Sequence, residues 1–292
     1  MRAGILFDAD NTLWDTNAVF IDAQLAMLRV LSEGGVLDDP ERALPTLRAI
    51  DMALVEHVGR FEYDVHQLAQ AVIVHFETDL QGDALMEALS RSSSPTPGRD
   101  ALARAAGRVY LDGLQRVPPV LPDTIEILRL LHAARQLGAP LVTAVLSEGD
   151  PERLERVFNA YHVDIGALFD EIIVGHKSRL AFERARTALV ELLPPAADQS
   201  ETLFVIVGDA LTRDIKFGKQ AGFVTVYIPS SFKGVEEPRA EDEVADFTIE
   251  RMGELPPILA RLGIPLPTAA EALAHEPPSP EDRPIVIKRL AP

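Results

Sequence analysis

Five short apolar runs punctuate the chain, at residues 3–7 (AGILF), 140–147 (PLVTAVLS), 171–174 (EIIV), 203–207 (LFVIV) and 223–228 (FVTVYI). Each is nearly continuous rather than alternating, the pattern of a strand buried on both faces. Between the later runs the period changes to that of a helix. Ile125, Leu128 and Leu131 repeat along a segment that closes at Gly138, the residue type that most easily ends a helix in the left-handed region. Asp150 followed by Pro151 reads as an N-cap and a first helical residue. Ala181, Ala185, Ala188, Leu189 and Leu192 mark another helix, and a further one ends at Gly222. Strands alternating with helices predict βαβ units and a parallel sheet covered on both faces.

Residues 16–117 break that alternation. They hold no run of strand character and read as amphipathic helices over 17–35, 40–61, 64–80 and 99–115, with a loop at 92–98 (SSSPTPG). The expected fold class is therefore α/β: a Rossmann-like parallel sheet core with helices on both faces, plus an inserted α-helical cap domain. The core is expected to be discontinuous, residues 1–15 and 118–254, with the cap over 16–117 and linkers near Asp15 and Pro118-Pro119. An independent helical partner-binding module is the alternative reading of the insert. From residue 255 the chain holds nine of its 22 prolines and reads as a Pro-rich tail to residue 292, in which IVIKRLAP adds an edge strand or hangs free.

Charge narrows the partners. The formal net charge is −17 over 292 residues, which disfavours nucleic acid and anionic membrane surfaces. A small phosphorylated metabolite remains compatible, because a few local cations and a metal can hold one phosphate. There are no cysteines, so disulfides and thiolate chemistry are excluded, in keeping with a cytoplasmic protein. No run approaches the ~18 apolar residues of a membrane span. The first strand begins almost at Met1, so no cleaved leader is expected.

Ligands of open α/β sheets gather at the carboxyl ends of the strands. Asp8, Asp10 and Thr12 follow the first run, Ser147 ends the second, Lys177 follows the third, and Asp209 and Asp214 follow the fourth. Each has a bland reading as a turn residue, a helix cap or a surface lysine. Together they make a set. Carboxylates offer the hard oxygen ligands that Mg²⁺ prefers. A lysine and a hydroxyl can clamp phosphate oxygens. One carboxylate can attack phosphorus while a second exchanges protons with the leaving alkoxide and with water. These are the parts of phosphoryl transfer.

In these residues the chain resembles the haloacid dehalogenase-like phosphohydrolases. ILFDADNT is similar to their first motif, VLSEGD to their second, the lysine of GHKS to their third and VGDALTRD to their fourth. The place of the helical insert is similar to that of their C1 cap. The resemblance implies that Asp8 is the nucleophile and Asp10 the general acid/base. It implies that Asp8, the main-chain carbonyl of Asp10 and Asp209 bind Mg²⁺, with Asp214 supporting, and that Thr12, Ser147 and Lys177 serve the phosphate. Asp10 favours phosphorus chemistry over carbon chemistry. A phosphomutase of the same superfamily and a catalytically quiet binding protein stay open beside a phosphatase. Glu148 departs from the family pattern and is expected to turn to solvent or to cap the helix at Pro151. Thr143 rivals Ser147 as the second-motif hydroxyl. Trp14 lines the pocket or packs the hinge. In the insert, Arg48, His57, Arg60, Tyr63, His66 and His75 read first as solvated helix faces and second as substrate contacts.

Overall fold

The computed structural model describes residues 2–58, 64–78, 97–161, 165–195, 202–230, 235–272, 274–275 and 287–290. The loop read at 92–98 lies outside these up to residue 96, as do Arg60, Tyr63 and the side chain of His57. The chain packs as two compact units, residues 1–17 with 117–292, and residues 18–116.

The first unit is built on a sheet of seven parallel strands. They are β1 (Arg2–Phe7), β2 (Leu141–Ser147), β3 (Glu171–Val174), β4 (Thr202–Gly208), β5 (Val224–Tyr227), β6 (Phe247–Thr248) and β7 (Ile287–Arg289). Their order across the sheet is β6-β5-β4-β1-β2-β3-β7. The expected α/β sheet is thus what forms, and each apolar run of the sequence lies on one of β1 to β5. The chain moves outward from β1 through β2 to β3, then returns to the other side of β1 at β4. That reversal opens a crevice at the carboxyl ends of β1 and β4.

Helices α1 (Thr16–Glu33), α2 (Pro40–Val58), α3 (Val65–Glu77) and α4 (Pro97–Leu114) make up the insert. In the first unit follow α5 (Thr124–Gln136), α6 (Pro151–Ala160), α7 (Arg179–Leu192), α8 (Lys216–Gln220), α9 (Leu255–Arg261) and α10 (Ala269–Ala272). Alternation along the strands divides the core in two. Ile5, Phe7, Val205 and Val207 face one layer with Leu128, Leu131 and Phe158 of α5 and α6. Leu6, Phe204 and Ile206 face the other with Phe182, Ala185 and Leu189 of α7. The insert has a core of its own, in which Met27, Leu31, Leu47, Ile50, Leu68 and Val72 are buried. Its first and last helices approach so closely that a Cβ at Gly113 would lie 2.8 Å from Ala23 Cβ.

The segment from residue 255 onward is a correction to the sequence reading. Leu255 and Leu259 are fully buried and Ile264 nearly so, all in the core beside the sheet. Pro256 and Pro257 fall in the first turn of α9, where a missing N–H costs no helical hydrogen bond. Two of the prolines that suggested a tail are thus helix starters. Further on, β7 pairs in parallel with β3, and Lys288 Nζ lies 2.6 Å from Glu171.

Candidate active site

Asp8 leaves β1 with its main-chain N–H still bonded to Val207 of β4. The chain then turns sharply. Asn11 adopts φ 61°, a left-handed conformation that asparagine tolerates better than most residues. Its side chain accepts the N–H of Asn17 at 3.0 Å. The turn lets Asp8 and Asp10 be held by different partners. Thr12, fully buried, donates to Asp8 Oδ2 at 3.1 Å, and Lys177 Nζ pairs with Asp8 Oδ1. The Thr12 hydroxyl thus supports the Asp8 carboxylate directly.

Asp10 Oδ1 accepts from Thr16 Oγ1 at 2.5 Å and from Trp14 Nε1 at 3.0 Å, while Arg153 pairs with Oδ2. Trp14 is fully buried and meets Phe158 edge-on with ring centroids 5.1 Å apart. It packs the core and orients Asp10 at once. Burial works against charge on Asp10, but the Arg153 attraction and the three hydrogen bonds outweigh it and hold the carboxyl below its ordinary range.

Ser147 ends β2, nearly buried, and its Oγ accepts the N–H of Gly149 at 3.0 Å. A Cβ on Gly149 would come within 3.0 Å of Arg153 Nη2, 3.2 Å of Ser147 Oγ and 3.3 Å of Asp10 Oδ2, so these groups converge on one spot. Thr143 instead sits mid-strand and donates to Leu168 O at 3.1 Å. Asp150 caps α6 by accepting from Arg153 N at 2.8 Å. Glu148 neither faces solvent alone nor caps that helix. It accepts from Lys177 N at 2.7 Å and from Arg213 Nη1 at 2.6 Å. The correction has a simple cause: Asp150 holds the capping position, which leaves Glu148 for the neighbouring loops.

At the end of β4 a π-helical turn, Leu211–Ile215, folds Asp214 back so that its Oδ2 accepts the N–H of Ala210 at 3.1 Å. Gly208 makes room for this, since a Cβ there would lie 2.5 Å from Asp214 Cγ. Lys177 Nζ lies 2.6 Å from Asp214 Oδ1. Carboxylate oxygens of Asp8, Asp209 and Asp214 fall within 4.8 Å of one another, all three residues buried. The side chain of Asp10 is not in that cluster, whereas Asp214, expected only as support, is. Burial favours a neutral amine, but Asp214 and Asp8 push Lys177 up and keep it charged. Burial, opposed by Lys177 and reinforced by Asp214 and Asp209, pushes Asp8 well above the usual carboxylate range. Three buried acids face one lysine, an excess of negative charge that a hard divalent cation offsets, and their donors are the oxygen type such cations take.

A family model for haloacid dehalogenase-like hydrolases matches residues 3–222. The chain belongs to this family. Among this hydrolase's relatives, a glyceraldehyde 3-phosphate phosphatase of Methanopyrus kandleri is 26% identical over 275 residues, 90% of this chain and 99% of its own length. One of the same name from Methanocaldococcus jannaschii is 26% identical over 263 residues, with the same coverage. Among solved structures, a haloacid dehalogenase-like hydrolase of Xanthomonas campestris superposes with TM-score 0.55 at 18% identity, over 94% of this chain and 99% of its own. The HAD-hydrolase YfnB of Bacillus subtilis, bound to magnesium, gives 0.53 at 18%, over 89% and 100%.

Sequence reading missed Arg153, Thr16 and Arg213 in this dehalogenase-like site. Arg153 had one signal, its place in the first turn of the helix that follows Ser147. Arg213 directly precedes Asp214 and looks like any surface arginine. Of the insert's polar residues, Arg48 Nε donates to Gln24 Oε1 at 3.1 Å and His66 lies 3.0 Å from Asp100, both within their own unit. The His75 ring meets Phe76 edge-on in the same helix.

Proposed function

We propose that this hydrolase is a magnesium-dependent phosphatase that cleaves a small phosphomonoester through an aspartyl-phosphate on Asp8. The observation that carries the reading is the meeting of Asp8, Lys177, Asp209 and Asp214 at the carboxyl edge of one sheet. Asp8 forms the new bond to phosphorus as the ester P–O bond breaks, and the leaving oxygen takes a proton from Asp10. Water then attacks the phosphoryl group, gives its proton to Asp10, and releases phosphate with Asp8 restored. The Arg153 contact favours the ionised form of Asp10, the form suited to accept the proton from water. The proton spent on the leaving oxygen has to be taken up beforehand. Lys177 and Ser147 hold phosphate oxygens. Asp8, Asp209 and the Asp10 carbonyl would hold the cation, which would supply positive charge to offset the negative charge of nucleophile and phosphate.

The relatives' names make glyceraldehyde 3-phosphate the first substrate to try, and a cytoplasmic setting goes with that class. The helical unit, inserted between the first and second motifs, serves as cap. The test is phosphate release from an aryl phosphate and a panel of sugar phosphates, with Mg²⁺ and with EDTA. Metal-dependent release that disappears in Asp8→Asn is expected. An Asp8→Asn protein as active as the parent overturns the reading.

A further inference from the structure

Glu148 has no place in the chemistry above, yet both of its oxygens are engaged. Oε1 accepts the main-chain N–H of Lys177 at 2.7 Å and lies 2.8 Å from His176 Nδ1. Oε2 accepts from Arg213 Nη1 at 2.6 Å. The three partners stand on different segments. Glu148 is in the loop after β2, Lys177 and His176 are in the loop after β3, and Arg213 is in the turn after β4. One carboxylate therefore ties together the segments that carry Ser147, Lys177 and Asp214.

By charge alone the residue is out of place, since a carboxylate beside a phosphate site repels its ligand. Its bond to Lys177 runs to the main chain, where it fixes the base of a long side chain. The other end of that loop is fixed by Ser178, which caps α7 by accepting from Ala181 N at 3.3 Å. Between these anchors the ammonium of Lys177 reaches Asp8 and Asp214. A displacement of an ångström at such a group is costly in a site that works by positioning.

We propose that Glu148, with Arg213 as its counter-ion, is a positioning residue that clasps the Lys177 loop and so aims the lysine at the substrate's phosphate. The ligand in this statement rests on the phosphatase reading; the clasp does not. Two measurements separate them: amide hydrogen exchange at Lys177, and the affinity for inorganic phosphate by titration calorimetry with Mg²⁺ present. In Glu148→Ala, exchange at Lys177 is expected to quicken at least tenfold and phosphate affinity to fall about tenfold. Glu148→Gln, which keeps an acceptor for the Lys177 N–H but releases Arg213, is expected to lose about threefold in affinity. Arg213→Ala is expected to matter in the parent and to add less than twofold on Glu148→Ala, as coupled partners do.

The sign decides. Removing a negative charge tightens phosphate binding if charge is the whole effect, and loosens it if Glu148 positions the lysine. Either substitution leaving phosphate as tightly bound as in the parent, or tighter, overturns the proposal. So does unchanged exchange at Lys177. A parent that binds phosphate but hydrolyses no ester overturns the phosphatase reading and leaves the clasp to be decided by the same two measurements. A parent that binds no phosphate overturns the phosphatase reading and the aim at phosphate, and exchange at Lys177 alone then decides the clasp.

Discussion

Thr12 spends its only hydroxyl on Asp8, and Thr12→Val keeps the shape while removing that bond. A hydrogen bond to a charged group is worth about 1.5–3 kcal/mol, so kcat/KM for phosphate release is expected to fall about tenfold to a hundredfold. A Thr12→Val protein with parental kinetics would show that Asp8 needs no such partner. Asp8, Ser147, Lys177, Asp209 and Asp214 were legible in the sequence because each lies at or shortly after the end of a strand, and strand ends of a parallel sheet meet at one edge. Glu148's role and Arg153 were not, because their meaning lies in partners. Glu148 meets Lys177 29 residues on, and Arg153 meets Asp10 143 residues back. No local pattern encodes such a pair.

At the level of elements, close approach and loop anchoring hold the sheet together. A Cβ at Gly4 of β1 would lie 3.1 Å from Leu189 Cδ1 of α7 and 3.2 Å from Phe204 Cδ1 of β4. Gly4→Ala gains about 0.4–1 kcal/mol from a stiffer unfolded chain. It loses about 1–3 kcal/mol to overpacking, which wins, and a lower denaturant midpoint is the expected reading. Asp246 anchors β5 from the loop before β6, accepting from Thr225 N at 2.8 Å and Thr225 Oγ1 at 2.9 Å. Burial opposes its charge, but those bonds and Lys219 hold the carboxyl below its ordinary value. A folded-state pKa below the unfolded one stabilises above the unfolded value, about pH 4, and loses that effect as pH falls through the folded value. Asp246→Asn is thus expected to melt lower than the parent at pH 7, with the gap closing in thermal scans run below about pH 4. A gap that persists at pH 2 contradicts this. The apolar runs announced β1 to β5 and one of the two readings of IVIKRLAP announced β7, whereas β6, with two residues, is too short to register as a pattern. The prolines of α9 pointed the wrong way because proline begins helices as readily as it breaks them.

Over the whole molecule, two compact units carry a net charge of −17, while the site depends on single cations placed against buried acids. In the reading proposed above, local geometry outweighs global charge in binding the phosphate, and Asp8 is the nucleophile on which the other roles depend. The most direct test is to quench the enzyme in acid during turnover of an aryl phosphate with Mg²⁺ and to locate the phosphoryl group by mass spectrometry of the peptide spanning residues 3–15. Phosphate on Asp8 in the parent, and none in Asp8→Asn, is the predicted result. Turnover by the parent with Asp8 never modified, or with the phosphoryl group on another residue, would contradict it.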